Sequence, residues 1–162
     1  MATYLSYIET LSDNKVDVIK MAEEFNTHIK NHPGVVRVTN KANVVIHSLF
    51  AVTFDNAGVM AMIKESMPYT HLAIQQLRDN HGIIDVTFRT LPPLTAYKWH
   101  TDFPGKPFYH IPIISNEGCW FVYEGKSFAM PADGSSYKVN NSRLHTFMNA
   151  GVQERTHLVC QF

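Results

Sequence analysis

Ile83-Ile84-Asp85-Val86-Thr87-Phe88-Arg89-Thr90-Leu91, then Pro92-Pro93, then Leu94-Thr95-Ala96-Tyr97-Lys98-Trp99-His100, opens the stretch whose pattern decides the fold. Apolar, β-branched and aromatic residues alternate with polar ones, and a proline pair breaks the run, as expected of short strands separated by turns. The same texture continues through 107–114, 119–123, 127–130, 136–139, 144–149 and 156–162. Pro104-Gly105, Asn116-Glu117-Gly118, Glu124-Gly125, Asp133-Gly134 and Ala150-Gly151 punctuate it. About eight strands at such short spacing indicate a sandwich or jelly roll.

Ahead of residue 83 the pattern is helical with one β interlude. Residues 13–31 read as an amphipathic helix with Val16, Ile19, Ala22, Phe25 and Ile29 on one stripe. Ser12 or Asp13 is the expected cap, and Lys15, Lys20, Glu23 and Glu24 fall largely on the solvent side. The β-rich runs 35–39 and 44–54 flank Asn40-Lys41-Ala42-Asn43 and read as a hairpin. Asp55 or Asn56 opens a second helix with Met60, Ile63 and Met67 in one row. A third helix starts at Pro68, carries Leu72, Ile74, Gln75 and Leu77, and ends with Gly82 as its C′ residue. The expected architecture is one domain over 1–162. Residues 1–82 form a helical and hairpin support packed on one outer face, and 83–162 form the jelly-roll core.

Composition narrows the function classes. The hydrophobic fraction is 45% and the charged fraction 17%, which argues for a packed core and against disorder. Formal net charge is zero, so no strong field attracts nucleic acid or an acidic membrane surface. No apolar run is long enough for a transmembrane helix, and the start MATYLSYIETLSDNK lacks the basic and apolar regions of a secretory signal. A cytoplasmic location is expected. Cys119 and Cys160 are expected as buried free thiols, not a disulfide framework.

The chemistry is concentrated in His100-Thr101-Asp102, His145 and Arg155. On a strand, positions i and i+2 share a face, so His100 and Asp102 can present an imidazole and a carboxylate side by side. His145 completes a two-His-one-carboxylate set, the facial triad of non-haem Fe(II) oxygenases. Such a triad leaves open positions, two for the carboxylate and keto oxygen of a 2-oxo acid and one for dioxygen. Arg155, sharing a strand face with His157 and Val159, is placed to take a distant carboxylate in its two-pronged fork. His-x-Asp alone is a weak signal in a chain with nine histidines, and a lone arginine on a strand is commonly solvated.

A wider pattern carries more weight. Tyr109-His110-Ile111-Pro112-Ile113, then Glu117-Gly118-Cys119, Gly134, Asn141-Ser142-Arg143-Leu144-His145, Asn149 and Arg155-Thr156-His157-Leu158 occur in an order and spacing that resembles the 2-oxoglutarate- and Fe(II)-dependent oxygenases. The likeness is greatest to their aspartyl/asparaginyl β-hydroxylase branch, and it spans about residues 91–162. The resemblance implies a double-stranded β-helix, a cupin-like jelly roll flanked by helices. It implies His100, Asp102 and His145 as iron ligands, Arg155 as partner of the 5-carboxylate of 2-oxoglutarate, and His110 as a hydrogen-bond donor beside that cosubstrate. It also implies a dioxygenase that hydroxylates a C–H bond of a free amino acid or a peptide, releasing succinate and carbon dioxide.

Two departures stand out. The best-known animal members have glycine where this chain has Asp102. They also carry an arginine two residues before the histidine matching His110, where this chain has Phe108; Lys106 and Tyr109 are the candidates to compensate, with Tyr109 expected to point away from His110. His28, His32, His47, His71 and His81 read as ordinary surface or satisfied histidines, and Arg143 as the exposed start of its strand. The competing functions are a cupin-like metal enzyme that does not use 2-oxoglutarate, and a non-catalytic β-sandwich module.

Overall fold

A computed structural model of the protein describes residues 7–50, 57–102 and 106–161. The strands are β1 (Ile8–Leu11), β2 (Val36–Thr39), β3 (Val45–Phe50), β4 (Asp85–Leu91), β5 (Thr95–Ala96), β6 (Phe108–Ile114), β7 (Cys119–Tyr123), β8 (Lys126–Ala129), β9 (Ser136–Val139), β10 (His145–Asn149) and β11 (Arg155–Gln161). The helices are α1 (Val18–Glu24), continued by a wider π-helical turn over Phe25–Ile29, α2 (Ala57–Ser66) and α3 (Pro68–His81). The strands form two antiparallel sheets, a large one ordered β1-β9-β6-β11-β4-β3-β2 and a small one ordered β5-β10-β7-β8. This is the jelly roll expected from the strand count, with helices on one outer face.

Alternation along the central strands explains both faces. On β11, Leu158 and Cys160 join Val86 and Phe88 of β4 and Tyr109, Ile111 and Ile113 of β6 in one core with Met21, Phe25, Ile63 and Leu77 of the helices. Arg155, His157 and Val159 take the opposite, inner face. Pro112 sits inside the central strand β6 without breaking it, because β9 pairs only with Phe108–His110, so no ladder bond is required from position 112 on that side. A bulge between Thr156 and His157 adjusts the β11–β6 register.

The N-terminal half does more than support. The β2–β3 hairpin, turned at Asn40 whose side chain accepts from the Ala42 and Val44 amides, extends the large sheet beyond β4. The pattern had given no sign of β1, which closes the other edge against β9. Expectations on 51–56, including the helix opening at Asp55 or Asn56, and on the Pro104-Gly105 turn lie outside the described residues.

Four local expectations are corrected. Helix α1 starts at Val18, capped by Asp17, whose carboxylate accepts the Lys20 amide, and not by Ser12 or Asp13. Phe25 and Ile29 are buried as expected, but Val18 and Met21 join them in place of Ile19, which is 71% exposed, because Val18 and the bulky Met21 bury more apolar area than Ile19 and the small Ala22 would. Glu24, expected at the surface, is buried and accepts from the amides of Tyr69 (3.0 Å) and Thr70 (2.8 Å) and from the Thr70 hydroxyl (2.7 Å). Helix α3 has no capping side chain of its own, so Glu24 satisfies its first-turn donors and complements its dipole from a different helix. Leu72 is exposed, and Thr70, Ala73, Ile74 and Leu77 form the buried face. Gly82 holds the left-handed C-cap, φ 69°, as the sequence indicates.

Candidate active site

His100 and His145 are held opposite each other by backbone. Each donates its amide to the other's carbonyl at 2.9 Å, an isolated antiparallel bridge that sets the imidazole centroids 4.3 Å apart. The strand expected over 94–100 is only β5 plus this bridge. Pro92 and Pro93 lack amide donors and Leu94 has a positive φ of 54°, so a regular ladder cannot run through. Asp102 is joined to Asn141 twice: its amide donates to the Asn141 carbonyl at 2.9 Å, and the Asn141 amide group donates to Asp102 Oδ2 at 2.8 Å. The three predicted ligands therefore converge, although not through the strand geometry that first paired His100 with Asp102.

Tautomers follow from the partners. His145 Nδ1 lies 2.8 Å from the Arg143 carbonyl and His100 Nδ1 lies 2.9 Å from the Lys98 carbonyl. A carbonyl only accepts, so both Nδ1 atoms carry the proton and both Nε2 atoms offer a lone pair. Those Nε2 atoms lie 3.6 Å (His145) and 3.9 Å (His100) from Asp102 Oδ2, and the three ligand atoms fall within 4.8 Å of one another. This spacing suits atoms gathered around one cation. Burial lowers the pKa of His145, which keeps it in the neutral, ligating form. His145 is closed off, stacked on Phe121, while Asp102 opens to solvent with 29% of its side chain exposed. The centre faces outward on the Asp102 side.

Arg155 is not solvated. It is 4% exposed, its guanidinium carbon lies 5.3 Å from the Phe147 ring centroid, and it donates from Nη2 to His157 Nδ1 at 3.1 Å. Among the described residues it has no carboxylate partner. Burial lowers its pKa to about 10, with the nearby Cys119 as the opposing influence. A buried cation without a counter-charge is costly. Its surroundings are firm: Asn149 donates to the Leu91, Pro92 and Gln153 carbonyls and accepts from Asn116, Gly151 and Cys119. Gly118 is required at this junction, because a Cβ there would stand 2.3 Å from the Gly151 amide nitrogen.

His110 lies inside the barrel as expected, linked to His157 by Nδ1–Nδ1 contact at 3.3 Å. Because His157 Nδ1 accepts from Arg155, neutral His110 must donate from its own Nδ1. Its Nε2 then carries a lone pair and has no partner among the described residues. Neutral His110 thus donates into the protein, and His157 is the acceptor that joins it to Arg155. Burial depresses both histidines well below the ordinary range.

The expected substitutes for an arginine at position 108 are not placed for it. Tyr109 points to the helix side, against His81, and Lys106 is exposed. The guanidinium over the Phe108 ring is that of Arg89, 5.5 Å from its centroid. Sequence pattern did not single out Arg89. Arg143 lies exposed at the start of its strand, as expected, over the Tyr7 ring.

A jelly roll that gathers two histidines and an aspartate within reach of one cation, with a buried arginine on the inner face of the large sheet, defines a candidate mononuclear metal centre. The model of the family Aspartyl/Asparaginyl beta-hydroxylase matches residues 47–162, so the match begins in the hairpin, well ahead of residue 91. The chain belongs to that family of hydroxylases. Among solved structures it is similar to the viral collagen prolyl hydroxylase of Paramecium bursaria Chlorella virus-1 in complex with 2OG, at 15% identity and TM-score 0.57, covering 96% of this chain and 95% of that one. A Pseudomonas putida prolyl-4-hydroxylase matches at 13% identity and TM-score 0.55, covering 96% and 91%. An oxidoreductase of the 2OG-Fe(II) oxygenase family from Burkholderia pseudomallei matches at 17% identity and TM-score 0.52, covering 78% and 71%. No curated protein sequence matches. At these identities the likeness is one of fold.

Proposed function

We propose that the protein is an Fe(II)- and 2-oxoglutarate-dependent dioxygenase that hydroxylates a C–H bond of an aspartyl, asparaginyl or prolyl unit, free or within a peptide. One C–H bond, one 2-oxoglutarate and one dioxygen become one alcohol, one succinate and one carbon dioxide. The observation that carries this is Arg155, a buried guanidinium without a carboxylate, in the same barrel as the His100, Asp102 and His145 cluster. A cupin-like enzyme with no dicarboxylate cosubstrate has no use for such a residue. The family and the prolyl hydroxylases among the similar folds support the choice of amino-acid units.

The donor set fits Fe(II): two neutral imidazole nitrogens and one carboxylate on one side, with the other side open. His100, Asp102 and His145 would hold the ion, and when bound it supplies the dioxygen chemistry that side chains cannot. The protein's own part is placement. The carbonyls of Lys98 and Arg143 keep each Nδ1 protonated, so Nε2 is always the ligand atom. Asn141 fixes the rotamer of Asp102. Arg155 binds the 5-carboxylate of 2-oxoglutarate bidentately and thereby sets how far its keto acid end reaches toward the metal ligands. His157 and His110 hold the guanidinium on target. Phe121 stacks on His145, and Phe147 lies by the Arg155 guanidinium with Tyr97 stacked on it, so aromatic rings run from the cluster to Arg155.

The deciding experiment is anaerobic titration with Fe(II) and 2-oxoglutarate, following the weak visible charge-transfer band of a metal-chelated 2-oxo acid. A band that needs both components and vanishes in His145→Ala is the expected result. Iron binding with no band would point instead to a cupin-like centre, and absence of iron binding to a non-catalytic module.

A further inference from the structure

Arg89 is a second guanidinium on the inner side of the large sheet, and neither the metal cluster nor the Arg155 pocket uses it. Val86 and Phe88 of β4 lie under the helices, so Thr87 and Arg89 turn to the other face, and Arg89 stands directly across the ladder from His157. Its Nε donates to the Thr87 hydroxyl at 3.2 Å, and Phe108 supports it from one side. The terminal fork of the guanidinium has no hydrogen-bond partner and no ion pair among the described residues.

That arrangement calls for an occupant. Burial lowers the pKa of Arg89, and the strongest opposing influence is the charge of Asp102, followed by Asp85. Asp85 is already engaged by the Gln161 amide, and Asp102 belongs to the metal cluster. Arg89 itself is only half-buried, so its side chain remains open to solvent on one side. A planar fork with unused donors, held at its root by a hydroxyl and an aromatic ring, matches a carboxylate in two-point contact.

We propose that Arg89 is a second carboxylate anchor in the barrel, separate from Arg155 and set across the ladder from His157. Its role rests on the dioxygenase reading above. The carboxylate has two possible sources: the one beside the keto group of 2-oxoglutarate, or an acidic group on the substrate.

The test is calorimetric titration of the Mn(II)-loaded protein with 2-oxoglutarate. The resulting complex is then titrated with N-acetyl-aspartate methylamide and with N-acetyl-asparagine methylamide. Wild type, Arg89→Gln and Arg89→Lys are compared. Arg89→Lys keeps the charge and the stem, so it reports even if Arg89→Gln does not fold. If the cosubstrate is the source, 2-oxoglutarate affinity falls about ten- to a hundred-fold in Arg89→Gln and less in Arg89→Lys, the range for a lost charge-assisted contact. If the substrate is the source, 2-oxoglutarate affinity holds, wild type prefers the aspartyl probe, and both variants lose that preference. Unchanged 2-oxoglutarate affinity in the variants, with no aspartyl preference to lose, overturns the proposal. A wild-type protein that takes up Mn(II) but no 2-oxoglutarate defeats the cosubstrate reading itself, and Arg89 falls with it.

Discussion

Replacing Arg155 by methionine should separate the stability of the fold from its affinity for a dicarboxylate. A guanidinium held at about 10 in place of its ordinary 12.5 has lost about 3 kcal/mol of solvation in its charged form. Methionine fills similar volume and carries no charge to desolvate. The substitution removes the hydrogen bond to His157 and the contact over Phe147, together about 1–2 kcal/mol. The Mn(II)-loaded, cosubstrate-free variant should therefore melt no lower than wild type, and a rise of a few degrees is expected. Cosubstrate binding moves the other way. Losing one partner of a buried bidentate ion pair costs about 3 kcal/mol, or about a hundred-fold in affinity. At 2-oxoglutarate a hundred times the wild-type dissociation constant, ligand stabilisation is about 2.7 kcal/mol for wild type and about 0.4 kcal/mol for the variant. For a domain of this size each kcal/mol moves the midpoint by about 2–4 °C. A ligand-induced shift of about 5–10 °C should shrink to about 1 °C. Thermal unfolding with and without 2-oxoglutarate measures both halves. If Arg155→Met melts well below wild type and keeps the full ligand shift, Arg155 is a structural cation and the anchor assignment is wrong.

Three further outcomes are expected. Asn141→Ala frees the Asp102 carboxylate and should weaken metal affinity about ten- to a hundred-fold, measured by competition with a metallochromic chelator, while the melting temperature of the metal-free protein changes little. Glu24→Ala strips the first turn of α3 of its acceptors and should cost about 2–4 kcal/mol in urea unfolding, with Glu24→Gln costing less; equal stability of Glu24→Ala and wild type would contradict the cap. His47, His110 and His157 are each held by burial below the ordinary histidine value, so the unfolded chain binds more protons than the folded one as pH drops below about 6.5. Stability should be fully present above that pH and fall below it, by up to about 1.4 kcal/mol per pH unit for each histidine, until the folded-state values are reached. Urea midpoints between pH 5 and pH 8 that stay flat would show that these histidines are not buried neutral.

The jelly roll was legible because its inner and outer faces impose a two-residue period on 83–162, and turn residues mark nearly every reversal. The candidate site residues could be picked out because His100, Asp102, His145 and Arg155 are chemically distinctive. Their convergence was not legible, since the His100–His145 bridge and the Asn141 hold on Asp102 are contacts between distant segments that no local period encodes. The first turns of α1 were misread because Ile19 and Ala22 line up with Phe25 and Ile29 as well as Val18 and Met21 do until side-chain bulk is weighed. Glu24 looked like a solvent-facing charge because its partners, the first amides of α3, lie over forty residues away. Arg89 was passed over for a similar reason: in an alternating strand a charged residue reads as outward, and here the inner face is the one lined with polar residues.

The strand order of the large sheet also has a temporal meaning. β11 is flanked by β6 and β4, so residues 155–161 are the wedge between two strands made much earlier. While the chain is emerging from the ribosome, residues 85–91 and 108–114 must wait with open edges, and Arg155 arrives on the strand that joins them. The facing edges of β4 and β6 are thus closed by the same event that delivers Arg155 to the inner face. A nascent chain cannot complete the inner face around Arg155 before its sheet is closed, and late pairing between distant strands leaves open edges in the meantime.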